Sequence, residues 1–256
     1  MCGRLAVGSS GALLLLVLWE LAARLGLVDP RYLPPPSAVV LELLSSLATT
    51  AFWLDVGRTL ASWAVGLAMA VAAGCAIGFM IGSSPFLRRF THSTIEFLRP
   101  IPSVALIPLA VLLFGTRMGS SLMLIFYASF WQVLVQVLYG VADVDVIADD
   151  AAKCYGLGPA ARLRYVVWPT ALPYLMTGVR LAAAVALILA ITAELVIGTP
   201  GLGKQIALAE SGGAAAEMSA LIVATGIIGV LINFLMRAVE RRLLGWHTSV
   251  RTESPA

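Results

Sequence analysis

Six long apolar runs dominate the chain, at about 11–27, 59–82, 103–115, 119–141, 172–197 and 218–238. Each is continuous in Leu, Ala, Val and Ile, without the every-second-residue alternation of a membrane β-barrel strand. Most approach or exceed the roughly 20 residues that carry a helix across a bilayer. The pattern predicts an all-α, polytopic membrane protein with about six transmembrane helices. The third run is short and contains Pro108, as expected of a tilted or broken span supported by neighbouring helices. Composition excludes the alternatives. The chain is 60% hydrophobic and 12% charged, against about 45–50% and about 25% in a soluble domain. So little charge neither covers a soluble globule nor keeps a chain disordered.

The scarce charges set the orientation. With the amino terminus placed in the cytoplasm, only Arg24, Arg31, Arg58, Arg117 and Lys204 of the 17 Lys and Arg fall outside. The positive-inside rule then puts both termini in the cytoplasm. The first run, with Trp19, Glu20 and Arg24, reads as a retained anchor rather than a cleaved signal. Three segments follow: residues 1–58 with the anchor and an external segment, a transmembrane core at 59–250 with a cytoplasmic loop at about 142–171, and a tail at 251–256.

Several residues stand out within this frame. Gly66, Ala70, Gly74, Gly78 and Gly82 recur every fourth residue, so they share one helix face that another helix backbone can approach closely. That face packs either within the subunit or against a second subunit. In the external segment, Pro34, Pro35 and Pro36 favour a stiff extended piece, and Ser37 is placed to cap a surface helix reaching about Leu47. Glu20 and Arg24 are spaced to pair on one helix face. Glu194 is an acid inside the fifth run. Such a group faces a cavity or a partner, so it reads either as a gate or as a structural bond, for example to Lys204. Gln132, Gln136 and Asn233 are the other polar candidates for a pathway, with helix packing as the alternative.

Enzyme chemistry finds no foothold. There is no HExxH or GxSxG pattern, and Cys2, Cys75 and Cys154 form no disulfide or metal spacing. With only His92 and His247, no metal site is expected. The stretch "GTPGLGKQ" has Gly198, Gly203 and Lys204 at P-loop spacing. However, Gln205 stands where Mg²⁺ needs a hydroxyl, and a membrane run precedes it in place of a strand. Basic residues track the membrane boundary rather than forming an aromatic-interleaved patch, so no nucleic-acid partner is expected.

The fourth loop carries the most information. It reads "VADVDVIADDAAKCYGLGPAARLRYVVWPTALPYLMTGVRL". The sequence predicts a short helix from about Val144 to Cys154, stopped at Gly156. A second would start near Pro159 and end before Pro169. Small Ala151 and Ala152 beside Asp149, Asp150, Arg162 and Arg164 suit a knob that presses into a soluble partner.

Asp150-Ala151-Ala152, Gly156, Val166 and Pro169 resemble the Glu-Ala-Ala signature of importer permeases of the ATP-binding-cassette class. The departures are Asp150 for Glu, Val166 for Ile and Trp168 for Leu. Leu98–Gly115, Thr192–Ile206 and the end "GVLINFLMRAVERRLLGW" resemble the nitrate, sulfonate and taurine permease subfamily. The resemblance implies a type I importer fold in a bacterial inner membrane, with Asp150–Gly156 as the helix that couples to a cytoplasmic ATPase. It also implies an extracytoplasmic solute-binding protein, a permease homodimer, and no cofactor on this chain, since ATP binds and is hydrolysed on the partner. The implied cargo is a small anion such as a sulfonate, taurine or nitrate. A vitamin precursor, or a secondary transporter working alone, are the other readings.

Overall fold

A computed structural model describes residues 2–29 and 31–245, with the side chains of residues 2–10, 12 and 13 outside the description. The tail at 246–256, with His247 and Arg251, lies outside it as well. The described residues form α1 (Cys2–Arg24), α2 (Pro36–Leu47), α3 (Thr50–Gly82), α4 (Pro85–Leu98), α5 (Ile107–Phe114, entered through a 3₁₀ turn at Ser103–Leu106) and α6 (Met118–Ala142). They continue as α7 (Val146–Cys154), α8 (Pro159–Arg162), α9 (Trp168–Ile197), α10 (Leu202–Ser211) and α11 (Ala215–Leu243).

Four stretches are long and apolar enough to cross a membrane: α3, α6, the continuous Pro159–Ile197 and α11. The pair Pro85–Leu98 and Ser103–Phe114 would make a further span, bent by 82°. Its nature follows from the packing of its neighbours. A Cβ built on Gly66, Gly74, Gly78 or Gly82 would meet Ile125, Val133, Val137 or Val141 respectively, each within 2.5–2.9 Å. The residue offset is constant, so α3 and α6 run parallel and in register. Two successive long helices are parallel only when the chain between them returns to the starting side. Residues 83–117 therefore recross the bilayer, and α4 with α5 is a broken span rather than a shallow loop. α1, 23 residues long, occupies the first apolar run.

The small-residue ladder of α3 thus packs within the subunit, against α6. α9 carries a second such face that the sequence reading passed over. Gly178, Ala182, Ala186, Ala190 and Ala193 are all buried, and a Cβ on Gly178 would meet Gln132 and Gln136 of α6. Ser129 Oγ donates to the Ala182 carbonyl at 3.3 Å, and Trp63 Nε1 to the Ala183 carbonyl at 2.9 Å. In contrast, Leu231, Phe234 and Leu235 on α11 are exposed, as a helix bordering lipid would be.

Two expectations need correction, at Ser37 and at Pro169. α3 starts at Thr50, ahead of the apolar run, and spans 33 residues. At about 1.5 Å per residue it overreaches the hydrocarbon, and its first turns pack Phe52 and Val56 against Leu202, Ile206, Leu221 and Ala224. Ser37 is not the cap of α2: Pro35 holds the cap position and Pro36 opens the helix. Pro36 suits that place because its missing N–H would have been unpaired anyway. The helix expected to end before Pro169 does not end there. It passes through a π turn at Leu163–Val167 straight into α9. A proline ring clashes with the carbonyl four residues earlier, here Tyr165, and the wider π turn relieves that clash.

Candidate functional site

The two ends of the bundle carry the polar chemistry. At the end that holds the fourth loop, Asp145 caps α7 by accepting from the Ile147 amide at 2.8 Å. The helix closes as the sequence implied. Gly156 is left-handed (φ +75°), and the Leu157 amide donates back to the Ala152 carbonyl at 3.0 Å, which satisfies an end carbonyl.

The faces of α7 differ from the simple knob. Ala152 is buried and turned toward its own chain, whereas Ala151 is exposed. Ile147 and Tyr155, 79% and 84% exposed, flank Ala151 at four-residue spacing and complete an outward stripe. Two large apolar side chains with a small one between them project from a polar loop. Neither flanking residue was singled out from the sequence, although the Ile147–Ala151–Tyr155 spacing was legible there. Asp150 is exposed and accepts from Lys153 Nζ at 2.7 Å. Pro169 sits in the first turn of α9, just beyond the π turn.

Arg162 grips Asp149 with two hydrogen bonds, Nε to Oδ1 at 2.7 Å and Nη2 to Oδ2 at 2.6 Å. The Arg162 guanidinium, and then Lys153, hold the Asp149 carboxyl below its usual range. Beside this fork, Ala160, Leu163, Arg164, Tyr165 and Trp168 line an open hollow of about 460 Å³.

The opposite end is organised by acids that rise from the long helices. α10 has no side-chain cap of its own, because Gly201 occupies that position. Glu194, buried at 1% exposure, takes over: its Oε2 accepts from the Gly203 amide at 3.0 Å and from the Thr59 hydroxyl at 2.8 Å. Thr59 Oγ1 in turn accepts from the Leu202 amide at 3.0 Å. Next to it, buried Asp55 accepts from Gln205 Nε2 at 2.7 Å and from Arg58 Nη1 at 3.0 Å. A Cβ on Gly201 would overlap the Glu194 carboxyl, and one on Gly203 would overlap the Ile191 carbonyl. The glycines of "GTPGLGKQ" thus admit the chain's own carboxylate, and the Gly203 amide is committed to it. The partners of Glu194 are Thr59 and Gly203, not Lys204.

The same device recurs at α2. Glu20 accepts from the Ser37 amide at 3.1 Å and from its hydroxyl at 2.9 Å, while Arg24 Nε donates to it at 2.6 Å. α2 and α10 each receive an N-terminal acceptor from a neighbouring long helix.

The four pathway candidates are not gathered in one place. Glu194 lies at the α10 end. Gln132 and Gln136 are half-buried on α6, where a Cβ on Gly178 of α9 would meet the Gln136 side chain at 2.9 Å. Asn233 is exposed on α11. Among the described residues no group of three or more His, Cys, Asp or Glu is placed to hold a metal.

Comparison with known proteins agrees with this architecture. The taurine transport system permease protein of Escherichia coli (strain K12) is 34% identical over 93% of this chain and 88% of its own. A putative aliphatic sulfonates transport permease protein of Bacillus subtilis (strain 168) is 27% identical over 92% and 85%. Among solved structures, a methionine ABC transporter in inward-facing conformations superposes with a TM-score of 0.65 at 20% identity. It covers 75% of this chain and 95% of its own. The family described as binding-protein-dependent transport system inner membrane component matches residues 66–245, and the chain belongs to that family.

Proposed function

We propose that this family member carries a small sulfonate, with taurine the first candidate, through a pair of identical copies of the chain. The support for the cargo is the similarity to the taurine and aliphatic sulfonate permeases over most of their lengths. α7 seats on a cytoplasmic ATP-binding-cassette subunit, which binds and hydrolyses the ATP. The observation that carries this assignment is the outward stripe Ile147–Ala151–Tyr155. Exposed apolar side chains of that size on a polar loop mark a contact surface. At the other end, α2 and α10, each held by an acid from a long helix, form the rim that receives a substrate-loaded binding protein. Both termini lie on the ATPase side, as the distribution of Arg and Lys supports.

Uptake into vesicles tests the reading. The permease, with a cognate ATPase and binding protein, is reconstituted and supplied with labelled taurine. Uptake that requires internal or external ATP on the ATPase side, together with all three proteins, is the expected result. Uptake by the permease alone, driven by an ion gradient without ATP, overturns it.

A further inference from the structure

The connection between α7 and α8 has little steric restraint of its own. Gly156 and Gly158 bracket Leu157, and a Cβ on either glycine would meet nothing within 4 Å. Backbone bonds from the Gly156 amide to the Lys153 carbonyl and from the Leu157 amide to the Ala152 carbonyl close α7 at the link, Ala152 is buried, and before α7 the Tyr174 hydroxyl donates to Asp143. One side-chain tie crosses the link itself. The Asp149–Arg162 fork joins the middle of α7 to the last residue of α8 across 13 residues of sequence. Both side chains are partly shielded, at 21% and 28% exposure, and two parallel charge-assisted bonds fix orientation as well as distance. Beyond Arg162 the chain runs through the π turn into α9 without a break.

We infer that the Asp149–Arg162 fork is the positioning strut that makes α7 and the start of α9 a single lever, so that movement imposed on α7 reaches the membrane helix instead of being lost in the glycine link. The inference rests on the proposed seating of α7 on an ATPase. Lys153 does not replace the strut. It bonds Asp149 at 3.0 Å and Asp150 at 2.7 Å, and all three lie on α7. Arg162 is the partner that crosses the link.

The lever is measured directly on the permease in lipid nanodiscs. Cys154 is exposed and takes one spin label. Tyr139→Cys, exposed at the end of α6, takes the second, with Cys2 and Cys75 changed to Ala. Pulsed electron–electron resonance then reads the distance distribution from α7 to the bundle. The unaltered fork gives one narrow distribution. Asp149→Asn, which keeps the shape and removes the charge, broadens it at least twofold. Arg162→Lys broadens it too, because one ammonium cannot form the two-bond fork. Asp149→Glu restores the narrow distribution. An Asp149→Asn trace that overlays the unaltered one overturns the strut.

Transport supplies the second readout. In the reconstituted complex, Asp149→Asn raises the ATP consumed per taurine imported by about tenfold, counted per ATPase subunit retained. Loss of uptake only in proportion to lost complex makes the pair a fold brace and overturns the lever. If the unaltered permease retains no ATPase while its distance distribution is narrow and fork-dependent, the seating of α7 fails and the fork remains as geometry only, which also overturns the lever.

Discussion

The Thr59 hydroxyl donates to the Glu194 carboxylate at 2.8 Å across 135 residues of sequence. The same oxygen accepts from the Leu202 amide. One hydroxyl therefore stitches α3, α9 and the start of α10 together, in a place where neither Thr59 nor Glu194 touches water.

Removing either partner leaves buried groups unpaired, which costs about 1–3 kcal/mol each time. Thr59→Val, nearly the same shape, is expected to lower the thermal midpoint of the detergent-solubilised protein by that equivalent. Glu194→Ala lowers it at least as far. The double variant is expected to lose less than the sum of the two, because the shared bond is counted once. Additive losses in a double-mutant cycle contradict the stitch.

The α3 ladder predicts effects of opposite sign on one helix. A Cβ at Gly78 meets Val137 at 2.7 Å, whereas one at Gly57 meets nothing within 4 Å. Gly78→Ala is expected to destabilise by about 1–3 kcal/mol through overpacking. Gly57→Ala is expected to stabilise by roughly 0.5–1 kcal/mol through reduced chain entropy. Thermal unfolding in a common detergent reads both, and equal shifts of one sign refute the parallel α3–α6 contact.

The glycines of the α10 turn predict a local failure. Gly201→Ala drives a methyl into the Glu194 carboxyl, while Gly158→Ala meets open space. Amide hydrogen exchange is expected to speed up across α10 in the first variant and to stay unchanged there in the second. Unchanged protection of α10 in Gly201→Ala counts against the cap.

The fork has a defined pH response. Arg162 and Lys153 hold the folded Asp149 pKa below its ordinary value. A lowered acid pKa contributes stability that is complete above the ordinary value and is lost as pH falls through the folded one. Between about pH 5 and pH 8 the α7 distance distribution is therefore expected to stay constant, broadening only in stronger acid. Broadening already between those values rules out a charged fork as the tie.

What the sequence disclosed was local and periodic. The Gly66–Gly82 face and the loop with Gly156 at its turn lie in short stretches whose spacing alone carries the geometry. Glu194 could be flagged as an isolated acid, but Thr59 looked like any hydroxyl in an apolar run. Only the fold brings them together. The P-loop likeness had the same blind spot, since what the glycines approach is a carboxylate seven residues upstream of Gly201. Ser37 was credited with a cap that Pro36 displaces, because the true acceptor, Glu20, sits on another helix. The face of Ala152 was misjudged for a different reason: two adjacent alanines read as one small surface, while about 100° per residue turns one inward and one outward.

The most direct measurement is how much ATP-binding-cassette subunit co-purifies with the permease from membranes. Tyr155 and Ala151 are exposed, so Tyr155→Arg with Ala151→Arg leaves this chain's own packing intact. The double variant is expected to stay in the membrane with an unchanged thermal midpoint while retaining less than about a tenth of the ATPase that the unaltered chain retains, a loss of at least about 1.4 kcal/mol in binding. Full retention of the ATPase by that variant contradicts the assignment of α7 as the seat.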